Sequence, residues 1–377
     1  MKKNKILFVS NTANFSKFNQ PLIKWCIDNG WQVDYCAPND ETILNCNMHY
    51  VVPIPRNPFN LNIIKSIYLL KKIIATERYD IIHCHTPVGA VVSRLAAKSL
   101  YLKHKIRVIY TAHGFHFYKG APLKYWLFFY PIEKYLSKYT NTLITINEED
   151  YKLAKNKFKT EKIVHIDGVG VDFTRFSPIN NSEKSLLRKQ YGFDDNDFIL
   201  LYTAEFIPRK NHKLLFEIIP KIRQQIPNLK VILSGRGKLF DHYKTFVNDN
   251  HYEDIVIFTG YTNHINDYCR VSDLLVSTSL QEGLPISMIE AIGTGLPVVC
   301  SKIRGHVDVI TNSYNGYLCS LNNPNEFADK IIELYKEEKK RKEMSKSALD
   351  VAKKYDVSIA VKKISNIYKE QLYFLSK

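Results

Sequence analysis

The sequence predicts an α/β protein made of two Rossmann-like domains, each a parallel, doubly wound sheet. Three observations carry this reading. Short apolar, β-branched runs recur along the whole chain, each bounded by polar or turn-forming residues, and are read as strands. Helical segments alternate with them, which marks βαβ crossovers. At 377 residues the chain exceeds one ordinary core and fits two.

In the first half the expected strands are Ile6 to Ser10, Gln32 to Ala37, Tyr50 to Ile54, Ile81 to His85, Arg107 to Ala112, Thr142 to Ile146 and Ile163 to Ile166. Asn60 to Thr76 reads as a helix, because Ile63, Ile64, Ile67, Leu70, Ile73 and Ile74 share helical spacing and would cover one face of the sheet. After Gly168 the pattern loosens, and a hinge is expected near Ser177 to Ser182. Strands resume at Ile199 to Ala204, Lys230 to Ser234, Ile255 to Thr259, Leu274 to Ser279, Leu296 to Cys300 and Gly316 to Cys319. Phe327 to Tyr335, Ser345 to Tyr355 and Ile359 to Tyr373 read as closing helices. The expected organisation is a domain over 1–178, a second over 183–355 and a terminal helix over 356–377. The two halves share an architecture, not a sequence repeat.

Composition bounds the function. Hydrophobic residues at 45% and charged residues at 24% are globular values. A net charge of +16 calls for anionic partners: nucleic acid, an acidic membrane or phosphate-bearing substrates. The basic residues are scattered through helices and form no compact recognition motif, which argues against nucleic acid. Seven cysteines without a paired framework suit a reducing compartment. The apolar run Ile6 to Val9 is too short for a signal-peptide core, and no run approaches the roughly 20 residues of a membrane span. A cytoplasmic protein with at most peripheral membrane contact is expected.

The most informative stretch is Asp273 to Ser301, which reads as strand, loop, short helix, glycine stop and strand. Pro285 suits the first turn of that helix, where a missing N–H costs nothing, and Gly293 and Gly295 suit its exit. Ligands of parallel sheets bind beyond the carboxyl ends of the strands, so Gln281 to Ser287 should face a cleft. Glu282 and Glu290 stand eight positions apart, roughly 12 Å if helical throughout, too far for a shared acid/base pair and suited to two ends of a long ligand. Between them, Gly283 to Ser287 read as a helix N-terminus whose free N–H groups and dipole suit a phosphate. An ordinary βα loop with surface acids is the alternative.

This stretch resembles the retaining nucleotide-sugar glycosyltransferases of family 4, the GT-B type, which build bacterial capsules and exopolysaccharides. The Glu-x7-Glu pattern stands as Glu282 and Glu290 in an EGLP context. The resemblance implies a GT-B fold, two Rossmann-like domains facing each other across a cleft, with the last helix crossing back to the first domain. It implies that Glu282 contacts donor-sugar hydroxyls, that Glu290 holds the ribose, and that the backbone of Gly283, Leu284 and Pro285 meets diphosphate and sugar. GVGVDFTRFSP, at 168–178, matches the segment that precedes the interdomain linker in the family.

Other motifs follow from position. AEFIPRKNHK, at 204–213, leaves a strand and opens a helix with Arg209, Lys210 and Lys213 in the first turns, where cations oppose the helix dipole unless an anion is bound. The resemblance makes Lys210 a diphosphate clamp, while Glu205 stands where the family has arginine. Arg209 is expected to supply the second charge. TAHGF, at 111–115, follows a strand, and His113 matches the family histidine beside the donor sugar. Asn11, Thr12 and His116 are acceptor-side candidates, and many relatives carry glycines where Asn11 and Thr12 stand. Gly235 and Tyr261, each just past a strand, are candidates for the base pocket.

No metal or cofactor is expected, since basic residues and a helix start would face the diphosphate. His83, Cys84 and His85 close a strand whose alternation points the cysteine away from both histidines. Asp194 to Asp197 contains Asp-x-Asp but precedes a strand, and reads as a turn. Phe115 to Tyr139 combines aromatics with Lys119, Lys124, Lys134 and Lys138, which suits either an anionic membrane surface or a helix burying its aromatics on the sheet. The expected partners are a nucleotide-sugar donor, of the UDP type, and a glycan or lipid-linked acceptor, with capsule or exopolysaccharide synthesis as the setting. A sugar-nucleotide epimerase or a phosphorylase on the same fold, and a nucleic-acid binder, are the rivals.

Overall fold

The computed structural model describes residues 3–376 and divides the chain into two compact units, Met1–Gly170 with Val357–Lys377, and Val171–Asp356. In the first unit the strands are β1 (Lys5–Val9), β2 (Gln32–Ala37), β3 (Met48–Val51), β4 (Ile81–His85), β5 (Arg107–Ala112), β6 (Thr142–Thr145) and β7 (Lys162–His165). They interleave with α1 (Ser16–Asp28), α2 (Asn62–Glu77), α3 (Pro87–Tyr101), α4 (Leu123–Leu136) and α5 (Glu148–Lys157). All pairings are parallel, in the order β3-β2-β1-β4-β5-β6-β7. Alternation sets the faces: Leu7, Val9, Ile82, Cys84, Val108 and Tyr110 join one core with Leu70 and Ile74 of α2 and Val88, Val92 and Ala96 of α3.

The second unit runs α6 (Asn181–Gln190), β8 (Phe198–Thr203), α7 (His212–Gln225), β9 (Leu229–Ser234), α8 (Phe240–Asp249), β10 (Val256–Gly260) and α9 (Ile265–Val271). It continues with β11 (Leu274–Ser277), α10 (Ile286–Gly293), β12 (Val298–Ser301), α11 (His306–Val309), β13 (Gly316–Cys319), α12 (Pro324–Lys336) and α13 (Glu338–Ala352). Its parallel sheet has the order β10-β9-β8-β11-β12-β13. Strand order therefore reverses between β8 and β11, and in the first unit between β1 and β4, the places where open α/β sheets bind ligands.

The last helix, α14 (Val357–Ser376), belongs to the first unit. Ala360, Ile364, Ile367, Tyr368 and Gln371 form its buried stripe, and Tyr368 reaches His83 Nδ1 at 2.5 Å while its ring meets Trp25 and Trp31.

Three boundaries differ from the sequence expectation. The units part at Gly170, not near Ser177 to Ser182, because Val171 to Ser177 already pack on the second unit. Phe176 is buried, the Phe173 ring lies where a side chain on Gly293 would go, and Arg270 Nε donates to the Ser177 carbonyl at 3.0 Å. β3 covers Met48–Val51 instead of Tyr50 to Ile54, since Pro53 and Pro55 cannot donate to a ladder. Pro285 caps α10 from outside with extended backbone (ψ 99°) and does not form its first turn.

Candidate active site

The reversal of strand order in the second unit is where its chemistry-bearing side chains meet. The loop leaving β8 carries Arg209 and Lys210 on a short 3-10 turn, Pro208–Lys210, which ends at Asn211 with φ +52° before α7 begins. The two cations thus precede α7 instead of lying in its first turn, and only Lys213 is inside the helix. The loop leaving β11 carries Glu282. Lys210 Nζ donates to Glu282 Oε1 at 2.5 Å, and Arg209 Nη1 donates to the Gln281 carbonyl at 2.8 Å and approaches Glu282 Oε2 at 3.4 Å. Glu205, in the place of the family arginine, is exposed.

Glu282 is buried, 7% exposed. Burial works to raise its pKa, but Lys210 and then Arg209 outweigh that and hold the carboxyl below the usual range. A small polar pocket beside it is lined by Tyr202, Lys210, Ser279, Glu282 and Ser287. The first intrahelical bonds of α10 run from Met288 and Ile289 to the Pro285 carbonyl, so the amides of Ile286 and Ser287 head the helix without an intrahelical acceptor. A lysine, a carboxylate and a helix start therefore border one polar recess, with Arg209 beside the carboxylate, and cations with free helix-start amides of this kind suit an anionic ligand.

Glu290 lies inside α10 and is partly buried. Burial raises its carboxyl to about 7, with Arg175 pulling the other way. Gly235 is held at φ +146°, and a Cβ there would lie 2.0 Å from the Ala204 carbonyl oxygen, so the close approach of the loops after β8 and β9 demands glycine. That requirement is met within the protein and does not by itself make a base pocket. Tyr261 is 70% exposed just past β10.

Three residues near Glu282 escaped the sequence reading. Gly305, at φ +80°, sits where a Cβ would come within 2.7 Å of the Gly283 carbonyl oxygen, so the loop after β12 closes on the Glu282 loop. Arg304 Nε donates to the Glu282 carbonyl at 3.3 Å. His306 is fully buried, with Nδ1–H donating to the Ser301 carbonyl at 2.8 Å and Nε2 at 3.3 Å from Ser277 Oγ. A glycine between two basic residues was the one available signal, and it is weak.

In the first unit the reversal between β1 and β4 gathers a histidine cluster. Parallel register sets His85 of β4 beside Thr111 of β5, and His113 stands two residues on. His85 Nδ1 lies 3.2 Å from His113 Nε2, the His83 and His85 rings are 4.2 Å apart, and Phe15 meets the His113 ring edge-on at 4.7 Å. Burial pushes His113 down to about 4 and His83 to about 3, and burial with both neighbours puts His85 well below its usual value. All three are neutral at pH 7. Cys84 points to the opposite face and donates to the Ile109 carbonyl at 3.3 Å. Among the described residues no group of three or more His, Cys, Asp or Glu is placed to hold a metal ion. Asp194 and Asp197 close a turn on each other, Asp194 N–H to Asp197 Oδ2 at 2.9 Å.

The amide of Asn11 donates to Thr86 Oγ1 at 3.2 Å, and Thr12 caps a 3-10 turn with its carbonyl taking the Ser10 hydroxyl at 2.7 Å. Thr86 joins β4 to α3 at φ +63°, ψ 146°, a conformation that costs a β-branched residue about 1–3 kcal/mol and that gathers at functional sites. His116 stands apart from this group, exposed, with its ring on Phe129 at 4.8 Å.

Comparison with known proteins gives a consistent picture. Residues 5–147 match the family model described as "Glycosyl transferase 4-like", and residues 183–351 match "Glycosyl transferases group 1". The chain is 37% identical to the Bacillus subtilis protein called "Putative glycosyltransferase EpsD", over 97% of this chain and 96% of that one. It is 27% identical, over 91% and 87% of the two chains, to the Escherichia coli "UDP-Gal:alpha-D-GlcNAc-diphosphoundecaprenol alpha-1,3-galactosyltransferase". In fold it resembles Anabaena Alr3699/HepE, solved in complex with UDP and glucose, with a TM-score of 0.80, 19% identity and coverage of 97% and 100%.

Proposed function

Since the chain belongs to the glycosyltransferases, with a 4-like unit followed by a group 1 unit, we propose that it moves a sugar from a UDP-sugar onto a lipid-linked glycan acceptor with retention. Exopolysaccharide or capsule assembly at the inner face of the membrane is the setting we assign, with the protein held there peripherally. The observation that carries the reading is the Lys210–Glu282 pair, with Arg209 beside it, at the reversal point of the second sheet.

In this reading Lys210 and Arg209 turn from Glu282 to the diphosphate, and with the amides at the start of α10 they stabilise its departure. Glu282, freed of its cations, accepts hydrogen bonds from sugar hydroxyls. Glu290 holds the ribose, and Gly235 and Tyr261 are assigned to the base. In the first unit His113, neutral and backed by His85, is assigned to the sugar being transferred, and Asn11, Thr12 and His116 to the acceptor. The basic residues and the helix start neutralise the diphosphate, so no metal is assigned.

The test is UDP release from a panel of UDP-sugars with and without a lipid-linked acceptor, followed by NMR of the product's anomeric carbon. Acceptor-dependent release, retained configuration and loss of both in Lys210→Ala are expected. Release without any acceptor, or an inverted product, overturns the reading.

A further inference from the structure

An apolar pocket opens in the first unit beside the carboxyl edge of its sheet. Val88 and Val91 of α3, Phe115 and Phe117 after β5, and Phe129 and Ile132 of α4 wall it, with about 530 Å³ of empty space counted out to the mouth. Its one acid, Glu133, is 5% exposed and closed off by Arg94, whose Nη2 lies 2.9 Å from Glu133 Oε2. The pocket therefore offers a mostly apolar wall whose one acid is charge-balanced, with His116 at its exposed rim.

The mouth is continuous with an apolar surface. Phe59 and Phe128 are 69% and 53% exposed and still meet edge to face at 5.8 Å, tying the loop before α2 to α4. Leu61 and Ile64 on one side, and Leu123, Leu127 and Ile132 on the other, are exposed with them. Soluble surfaces rarely leave so many large apolar side chains together unless something covers them. Residues 55–72 and 116–132, which carry this surface, contain Arg56, Lys65, Lys71, Lys72, Lys119 and Lys124 and no acid, while the nearby carboxylates of Glu149 and Asp150 accept from the Lys119 and Phe115 amides at 2.6 and 2.8 Å. A pocket lined by hydrocarbon, entered across aromatics and rimmed by cations, fits a long apolar chain that ends in an anion.

We propose that this pocket takes the hydrocarbon chain of the lipid-linked acceptor, and that the cationic rim holds the chain's phosphate-bearing end. The inference rests on the acceptor reading given above. Position supports it: Phe115, in the wall, is two residues from His113, so a chain seated here delivers its headgroup to the edge of the sheet that carries His85 and His113.

The direct test is equilibrium binding of a sugar-free prenyl diphosphate, compared with inorganic diphosphate, to the full chain and to Val91→Trp, which fills the pocket. The prenyl ligand is expected to bind at least tenfold more tightly than inorganic diphosphate, and Val91→Trp to remove that preference. Equal binding of the two ligands, or a preference unchanged in Val91→Trp, overturns the proposal. Circular dichroism checks that the variant is folded, and Ile132→Trp repeats the test if it is not. In transfer assays Val91→Trp is expected to raise KM for a long-chain acceptor and leave a short-chain one unchanged. If wild-type transfer ignores chain length the pocket is wrong and the acceptor reading stands. If no lipid-linked acceptor is used, that reading falls, and the binding result still decides the pocket.

Discussion

Lys210 Nζ lies 2.5 Å from Glu282 Oε1, joining the loops after β8 and β11 at the reversal of the second sheet. The side chains are 17% and 9% exposed, so removing one partner strands a charge in a site with little water. Lys210→Met is therefore expected to cost about 3–5 kcal/mol of stability. Adding Glu282→Gln to it should restore much of that stability and none of the turnover, because the cation proposed for the diphosphate is still gone. Thermal unfolding alongside UDP release separates the two effects, and a double variant with normal turnover would remove Lys210 from the donor site.

Held against the ribose as proposed, Glu290 is expected to make donor binding pH-dependent. Burial raises its carboxyl to about 7, above its unfolded value near 4.3, so the native state binds the extra proton between those limits. The stability this gives is fully present below the unfolded pKa and is lost as pH rises through about 7. Ligand binding runs the other way, since an ionised carboxylate is the better acceptor for ribose hydroxyls. KM for the donor is expected to fall severalfold from pH 6 to pH 8 in the wild type and to stay flat in Glu290→Gln. A slope that survives in Glu290→Gln assigns the titration to another group.

Much of this was legible because buried parallel strands write themselves as apolar runs. β5, β8 and β9 fall within a residue of expectation, as every position in them is buried or nearly so. Edge strand β3 slipped, being half exposed and cut short by prolines. The Lys210–Glu282 pairing joins residues 72 positions apart, and although both residues were expected at the donor, nothing in the sequence signalled that they meet. The histidine cluster was half seen: alternation put His83 and His85 on one face, but which strand lies beside them is a matter of sheet order, and the neighbour proved to carry His113. Arg94 was invisible, because a charged residue on an amphipathic helix ordinarily reads as surface.

Arg94 ties α3 to α4. Its guanidinium is 1% exposed, lies 2.9 Å from Glu133 and sits 4.7 Å over the Tyr110 ring. Arg94→Met is expected to lose about 3–5 kcal/mol by leaving Glu133 buried and unpaired. Arg94→Met with Glu133→Leu should recover most of it, since an apolar pair of similar volume avoids burying charge. Denaturant titration of the two variants decides this, and a double variant no more stable than the single would show that the ion pair itself, and not its desolvation, governs the packing of α4.

The histidine cluster sets the acid limit of the first unit. His83, His85 and His113 all titrate below the unfolded value near 6.5, so between pH 6.5 and the folded values the unfolded chain binds more protons. Stability is whole above about pH 6.5 and drains as pH falls, by about 2 kcal/mol at pH 5 for each histidine that stays neutral. His85 feels this most directly: it is 1% exposed, its Nε2 has no hydrogen-bond partner among the described residues, and Phe8 covers its ring at 6.2 Å. His85→Gln cannot gain the proton, so its melting temperature should fall less between pH 7 and pH 5 than that of the wild type. Because His85 also meets His113 at 3.2 Å, the same variant should lower kcat at pH 7, where protonation plays no part. A wild-type melting temperature that is flat from pH 7 to pH 5 would mean that the cluster admits protons in the folded state.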